Sequence, residues 1–129
     1  MKKLALCILA GSLHLCSAED DRLNEVIEKR GALLAEIHDA LKQGVKAGRN
    51  TPDEVCAAAL QLYGFRRDNA KTPADRIKWQ EEILSEAKRE VADVKSRIPI
   101  GVMTPLDLSR AEERALAAEQ KLLELQRVK

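Results

Sequence analysis

Few side chains in this sequence stand at spacings that support chemistry. Beyond residue 18 there is one histidine, His38, between Ile37 and Asp39. A zinc site draws several His, Cys or acidic ligands at set spacings, and the sequence holds no HExxH and no CxxC. Glu81-Glu82 and Glu112-Glu113 are adjacent carboxylates. Neighbours on a helix point about 100° apart, so neither pair flanks a substrate as an acid and a base must. They read as solvated faces. A serine nucleophile would have to borrow His38 as its base. No glycine loop of the phosphate-cradling type occurs. The expectation is a protein that is not an enzyme and uses no cofactor or metal.

Cys56 is followed by Ala57, Ala58 and Ala59. It reads as a small buried apolar residue, with an intermolecular disulfide left open. Cys7 and Cys16 both fall in an N-terminal segment of a different kind. Lys2 and Lys3 are followed by the mostly apolar Leu4 to Leu15 and then Cys16-Ser17-Ala18. Positive start, apolar run and small residues at −3 and −1 are the order of a secretory signal. The run is shorter than the about 20 residues that span a bilayer.

The expectation is a signal peptide over 1–18 and one helical domain over 19–129, periplasmic or secreted. Leu13-His14-Leu15-Cys16 also looks like a bacterial lipoprotein signal, although Leu15 departs from the small residue preferred there. Lipidation of Cys16 would tether the chain to a membrane, and membrane contact is expected only in that case. Removing residues 1–18 leaves 129 − 18 = 111 residues. Lys plus Arg falls from 22 to 20 against 21 acids, so the net charge moves from +1 to −1. That balance gives no electrostatic case for nucleic acid.

Tyr63, Phe65 and Trp79 are the whole aromatic complement. Ala, Leu, Glu, Lys and Arg dominate, the composition of long helices and coiled coils. Three helix starts share one wording: Thr51-Pro52-Asp53-Glu54, Thr72-Pro73-Ala74-Asp75 and Thr104-Pro105-Leu106-Asp107. Threonine caps, proline sits harmlessly at the first helical position, and an acid follows at the third. The spacing predicts helices over about 21–47, 52–69, 73–98 and 105–128.

The first carries Leu23, Ile27, Leu34, Ile37, Leu41 and Val45, with Gly48 as its cap. The second turns Val55, Ala58, Ala59 and Leu62 to one side. In the third, Ile77, Leu84, Val91 and Ile98 recur every seven residues, with Ala87 and Val94 between and Gln80 as the polar exception. In the fourth, Leu108, Ala111, Ala115, Ala118, Leu122 and Leu125 alternate three and four. Pro99-Ile100-Gly101 makes the last two antiparallel neighbours. The expected fold is all-α: a long antiparallel hairpin or coiled-coil-like bundle of about four helices. Its helix-seam interface is expected at Ile77, Leu84, Val91, Val94, Leu108, Ala111, Ala115, Ala118 and Leu122. Narrow Ala/Leu stripes make thin seams, so a second chain is expected to complete the packing.

The segments Gly48–Ala58 and Gly101–Ala111 align at an offset of 101 − 48 = 53 residues, matching Gly, Thr, Pro and Ala in place. Duplication and convergent capping both account for this. The Gly101-Val102-Met103-Thr104-Pro105-Leu106-Asp107-Leu108 turn, with Ala111, Ala115, Ala118 and Leu122 after it, resembles the periplasmic helical hairpin of the TolC-like outer-membrane efflux proteins. The Gly48 segment resembles the first copy of that turn. No barrel strands or aromatic girdle accompany it, so the resemblance implies a hairpin piece and not a channel.

The function expected from the sequence is an exported interaction or structural protein of the bacterial cell envelope, packing with itself or with envelope protein helices. The alternative is a small periplasmic chaperone or envelope-stress protein, although the LTxxQ motif of one such family is missing.

Overall fold

A computed structural model describes the backbone of residues 2–128 and the side chains of residues 17–128. Four helices, α1 (Lys2–Lys46), α2 (Pro52–Asp68), α3 (Pro73–Arg97) and α4 (Pro105–Arg127), account for all regular structure among the described residues. The all-α expectation therefore holds. The chain divides into two compact units, Met1–Leu33 and Leu34–Lys129.

The first helix departs from its expected start. It begins at Lys2, not near Asp21. No proline interrupts residues 2–46, and Glu19-Asp20-Asp21 sits inside the helix. Acids cap a helix only where the chain before them is non-helical. The Leu/Ala-rich segment preceding them is itself a good helix former. The side chains of Leu4–Leu15 and Cys16, which carry the signal and lipidation readings, lie outside the described residues. In the first unit Glu25 accepts from Arg22 at 3.1 Å and Lys29 at 2.7 Å. Leu23, Val26 and Leu33 are exposed there.

In the second unit the turns are built as the Thr-Pro wording requires. Thr51 and Thr104 each make a full capping box. The Thr51 hydroxyl accepts from the Glu54 amide at 3.3 Å, and the Thr51 amide donates to the Glu54 carboxylate at 2.8 Å. Thr104 and Asp107 repeat this at 3.2 and 2.8 Å. Thr72 accepts from the Asp75 amide at 3.1 Å, without the return bond seen at the other two starts.

Before each boxed start, a glycine closes the preceding helix. Gly48 has φ 73° and Gly101 φ 76°. Gly48 donates to Val45 and Arg49 to Gly44, at 3.0 and 2.8 Å; Gly101 donates to Ile98 and Val102 to Arg97, at 3.0 and 3.2 Å. This paired pattern is the Schellman stop, in which a left-handed residue lets two orphan carbonyls be satisfied. The 53-residue repeat thus has one backbone geometry in both copies.

Helix α3 is central: α2 and α4 both pack on it. Both pairs are antiparallel. Residues late in α2 meet residues early in α3, as in Arg67–Gln80, while Asp53 meets Arg97 at 3.4 Å. Across the other seam Gln80 meets Ala118, and Glu90 meets Arg114. The core is thin and made of small residues: Ala58, Ala59, Leu62, Ile77, Ala87, Val94, Ala111 and Ala118 are its buried apolar members. Five of these eight are alanines, whose small side chains allow close helix packing. The burial they contribute is small, at about 25 cal/mol per Å² of apolar area.

Candidate interaction surface

The expected seam residues separate into two sets. Ile77, Val94, Ala111 and Ala118 are buried. Leu84, Val91, Leu108, Ala115 and Leu122 are only half-buried. The heptad of α3 therefore reaches further than its partner covers.

Gln80, the polar exception in that heptad, is the largest fully buried side chain. Its Nε2 donates to the Ala118 carbonyl at 2.9 Å, and its Oε1 accepts from Arg67 Nη1 at 2.7 Å. One amide joins all three helices. A buried amide left unpaired would cost about 1–3 kcal/mol, and here both ends are satisfied. Two ion pairs add to the seams. Arg114 reaches across from α4 to the Glu90 carboxylate, and this contact holds the guanidinium above its ordinary range. Arg97 pairs with Asp93 at 2.9 Å and extends to Asp53 on α2.

Two of the three aromatic residues gather with His38 at one place. Tyr63 of α2 stacks on Trp79 of α3 with ring centres 5.8 Å apart and planes 22° apart. His38 meets the Tyr63 ring edge-on at 6.3 Å. Arg66 lies 4.8 Å over the indole and Lys78 5.6 Å from it. The partners of Trp79 come from α2 and its own helix, and His38 of α1 joins through Tyr63, a grouping that no local spacing in the sequence announces. His38 is packed against a ring here, and no group of three His, Cys, Asp or Glu able to hold a metal occurs among the described residues.

Cys56 lies in an open groove of about 390 Å³ lined also by Val45, Val55, Pro52, Glu86 and Glu90. Burial, then the carboxylates of Glu90, Glu86 and Asp53, push its thiol up to about 11. The group is protonated at neutral pH, the opposite of a reactive thiolate. Glu81, Glu82, Glu112 and Glu113 are all exposed, as solvated faces are.

The outer side of α4 carries exposed leucines, as the α3–α4 turn and the start of α4 carry exposed Ile100, Val102 and Leu106. Leu116 and Leu123, one heptad apart, are 66% and 54% exposed. They line one shallow surface with Glu119, Gln120 and Arg127. Leu116 also borders a second one with Lys88, Val91, Glu112 and Ala115. The half-covered heptad of α3 and the bare leucines of α4 are thus continuous. Scattered exposed apolar residues are ordinary; a contiguous patch marks a contact surface. The α4 stripe expected from the sequence runs through Leu108, Ala111, Ala115, Ala118, Leu122 and Leu125. Leu116 and Leu123 lie outside that stripe, and their seven-residue spacing is the signal that marks them.

No protein-family model, no curated protein and no solved structure matches this chain.

Proposed function

We propose that this chain is an exported helical interaction protein of a bacterial cell envelope, which packs through the α3–α4 face with a copy of itself or with a partner's helices. The observation that carries the proposal is the pair Leu116 and Leu123, more than half exposed beside the half-buried Val91 and Ala115. A helix laid along this face would cover four apolar side chains that the fold leaves wet, in the helix-in-groove manner. The sequence of the Gly101–Leu108 turn, which resembles that of efflux-protein hairpins, favours a helical partner over an extended peptide in this reading. Export is supported by Lys2-Lys3, the apolar Leu4–Leu15 and the small residues Ser17-Ala18.

The test is crosslinking in the native envelope, followed by mass spectrometry of what is attached to the tagged chain. Wild type is expected to give stoichiometric crosslinks, either to itself or to one helical partner, that L116D/L123D loses. Crosslinks unchanged in that variant would remove the α4 face from the reading. A diffuse set of unrelated proteins would replace it with the chaperone reading. The intact mass of the recovered chain reads export: a start at Glu19 is expected, a lipidated Cys16 would place the protein on the membrane, and an uncut chain would overturn export.

A further inference from the structure

The outer face of α4 is self-complementary about its own midpoint. At 100° per residue, Glu112, Leu116, Glu119, Gln120, Leu123 and Arg127 fall within about 100° of arc. All six are exposed. Leu116 and Leu123 are equidistant from the point between Glu119 and Gln120, and so are Glu112 and Arg127. A second copy laid antiparallel about a two-fold axis through that point therefore sets Leu116 against Leu123 of the other copy. It sets Glu112 against Arg127 of the other copy, twice. Among the described residues neither Glu112 nor Arg127 has an ion-pair partner within its own chain. A two-fold contact of this kind uses one patch twice and closes on itself.

We infer that the occupant of the α4 face is a second copy of this chain, docked antiparallel with Leu116 on Leu123 and Glu112 on Arg127. The inference rests on the reading of that face as an interaction surface, and it names the partner. The same geometry limits its strength. Residues 112–127 extend over about 23 Å, which buries roughly 400 Å² per protomer, half the about 800 Å² of a standard interface. The two Glu119 carboxylates also approach each other beside the axis. The dimer is therefore weak, with a dissociation constant on the order of 100 µM.

Sedimentation equilibrium of the full chain between micromolar and millimolar concentration tests this. Wild type is expected to pass from monomer to dimer. Glu112→Arg alone and Arg127→Glu alone should each weaken the dimer about tenfold, because an attractive pair becomes a repulsive one twice per dimer. The double reversal should return the constant to within about threefold of wild type. Glu119→Gln should tighten association, since it removes the like-charge contact at the axis. Leu116→Asp should abolish it. Single reversals without effect, or a double reversal weaker than either single, would overturn the register. A monomer at every concentration whose Leu116-dependent crosslinks go to another protein would overturn the self-pairing and leave the interaction surface standing. Association that survives L116D/L123D would overturn both.

Discussion

Helices α2 and α4 follow turns of the same construction, yet they end in opposite circumstances. Each starts after a Schellman glycine and a boxed threonine, and each packs antiparallel on α3. At the 53-residue offset, Ala58 and Ala111 are both buried. Five residues on, the copies part. Tyr63 is stacked under Trp79 and edged by His38, while its counterpart Leu116 is 66% exposed. A backbone motif fixes where a helix begins and which side meets its neighbour. The residues beyond the first turns decide whether the remaining side finds a cover within the chain.

The comparison can be broken hardest at the buried alanines. Ala111 has no exposed surface, whereas Ala58 retains 9%. Ala111→Leu should therefore cost about 3 kcal/mol by overpacking and Ala58→Leu about 1, measured by urea denaturation. Equal losses would show that the two seams are equally tight. Next come the glycines, at nearly identical positive φ. Gly48→Val and Gly101→Val should each lose about 1–2 kcal/mol, and a clear inequality would mean that the two stops are not equivalent.

The caps lie lower. Thr51→Ala and Thr104→Ala should each cost about 1 kcal/mol. Thr72→Ala should cost less, because no carboxylate returns to its amide; amide exchange in the first turns reads all three. The smallest effect is that of acid. Bonds from the Thr51 amide and the Thr104 amide hold the Glu54 and Asp107 carboxyls below their ordinary 4.5 and 3.8. Their contribution is present above those ordinary values and is lost as pH falls through the lower, folded-state ones. Glu54→Gln and Asp107→Asn should thus differ from wild type at neutral pH and converge with it in strong acid, as followed by circular dichroism.

What was legible in the sequence was local. A Thr-Pro-x-acid run contains its own donors and acceptors, so three starts could be placed from four residues each. The heptad of α3 states its side only in part: Ile77 is buried with Val94 beside it, while Leu84, Val91 and Ile98 stay half-buried. The rest depends on chain distant in sequence. Gln80 reads as a flaw in the heptad until Arg67, 13 residues before it, and Ala118, 38 residues after it, are brought alongside. The His38–Tyr63–Trp79 group needs three helices in place. The start of α1 differs for another reason, since the helix expected from about Asp21 runs back through the Leu/Ala-rich segment before it.

The Gln80 amide has a mechanical consequence. Its nitrogen is engaged by one outer helix and its oxygen by the other. A residue's slip of α4 would carry the Ala118 carbonyl about 1.5 Å along and 100° around its axis, out of reach of that nitrogen. A slip of α2 would do the same to Arg67. The two seams are geared through a single side chain, so that neither outer helix can creep along α3 without stripping the tooth that also holds its opposite number.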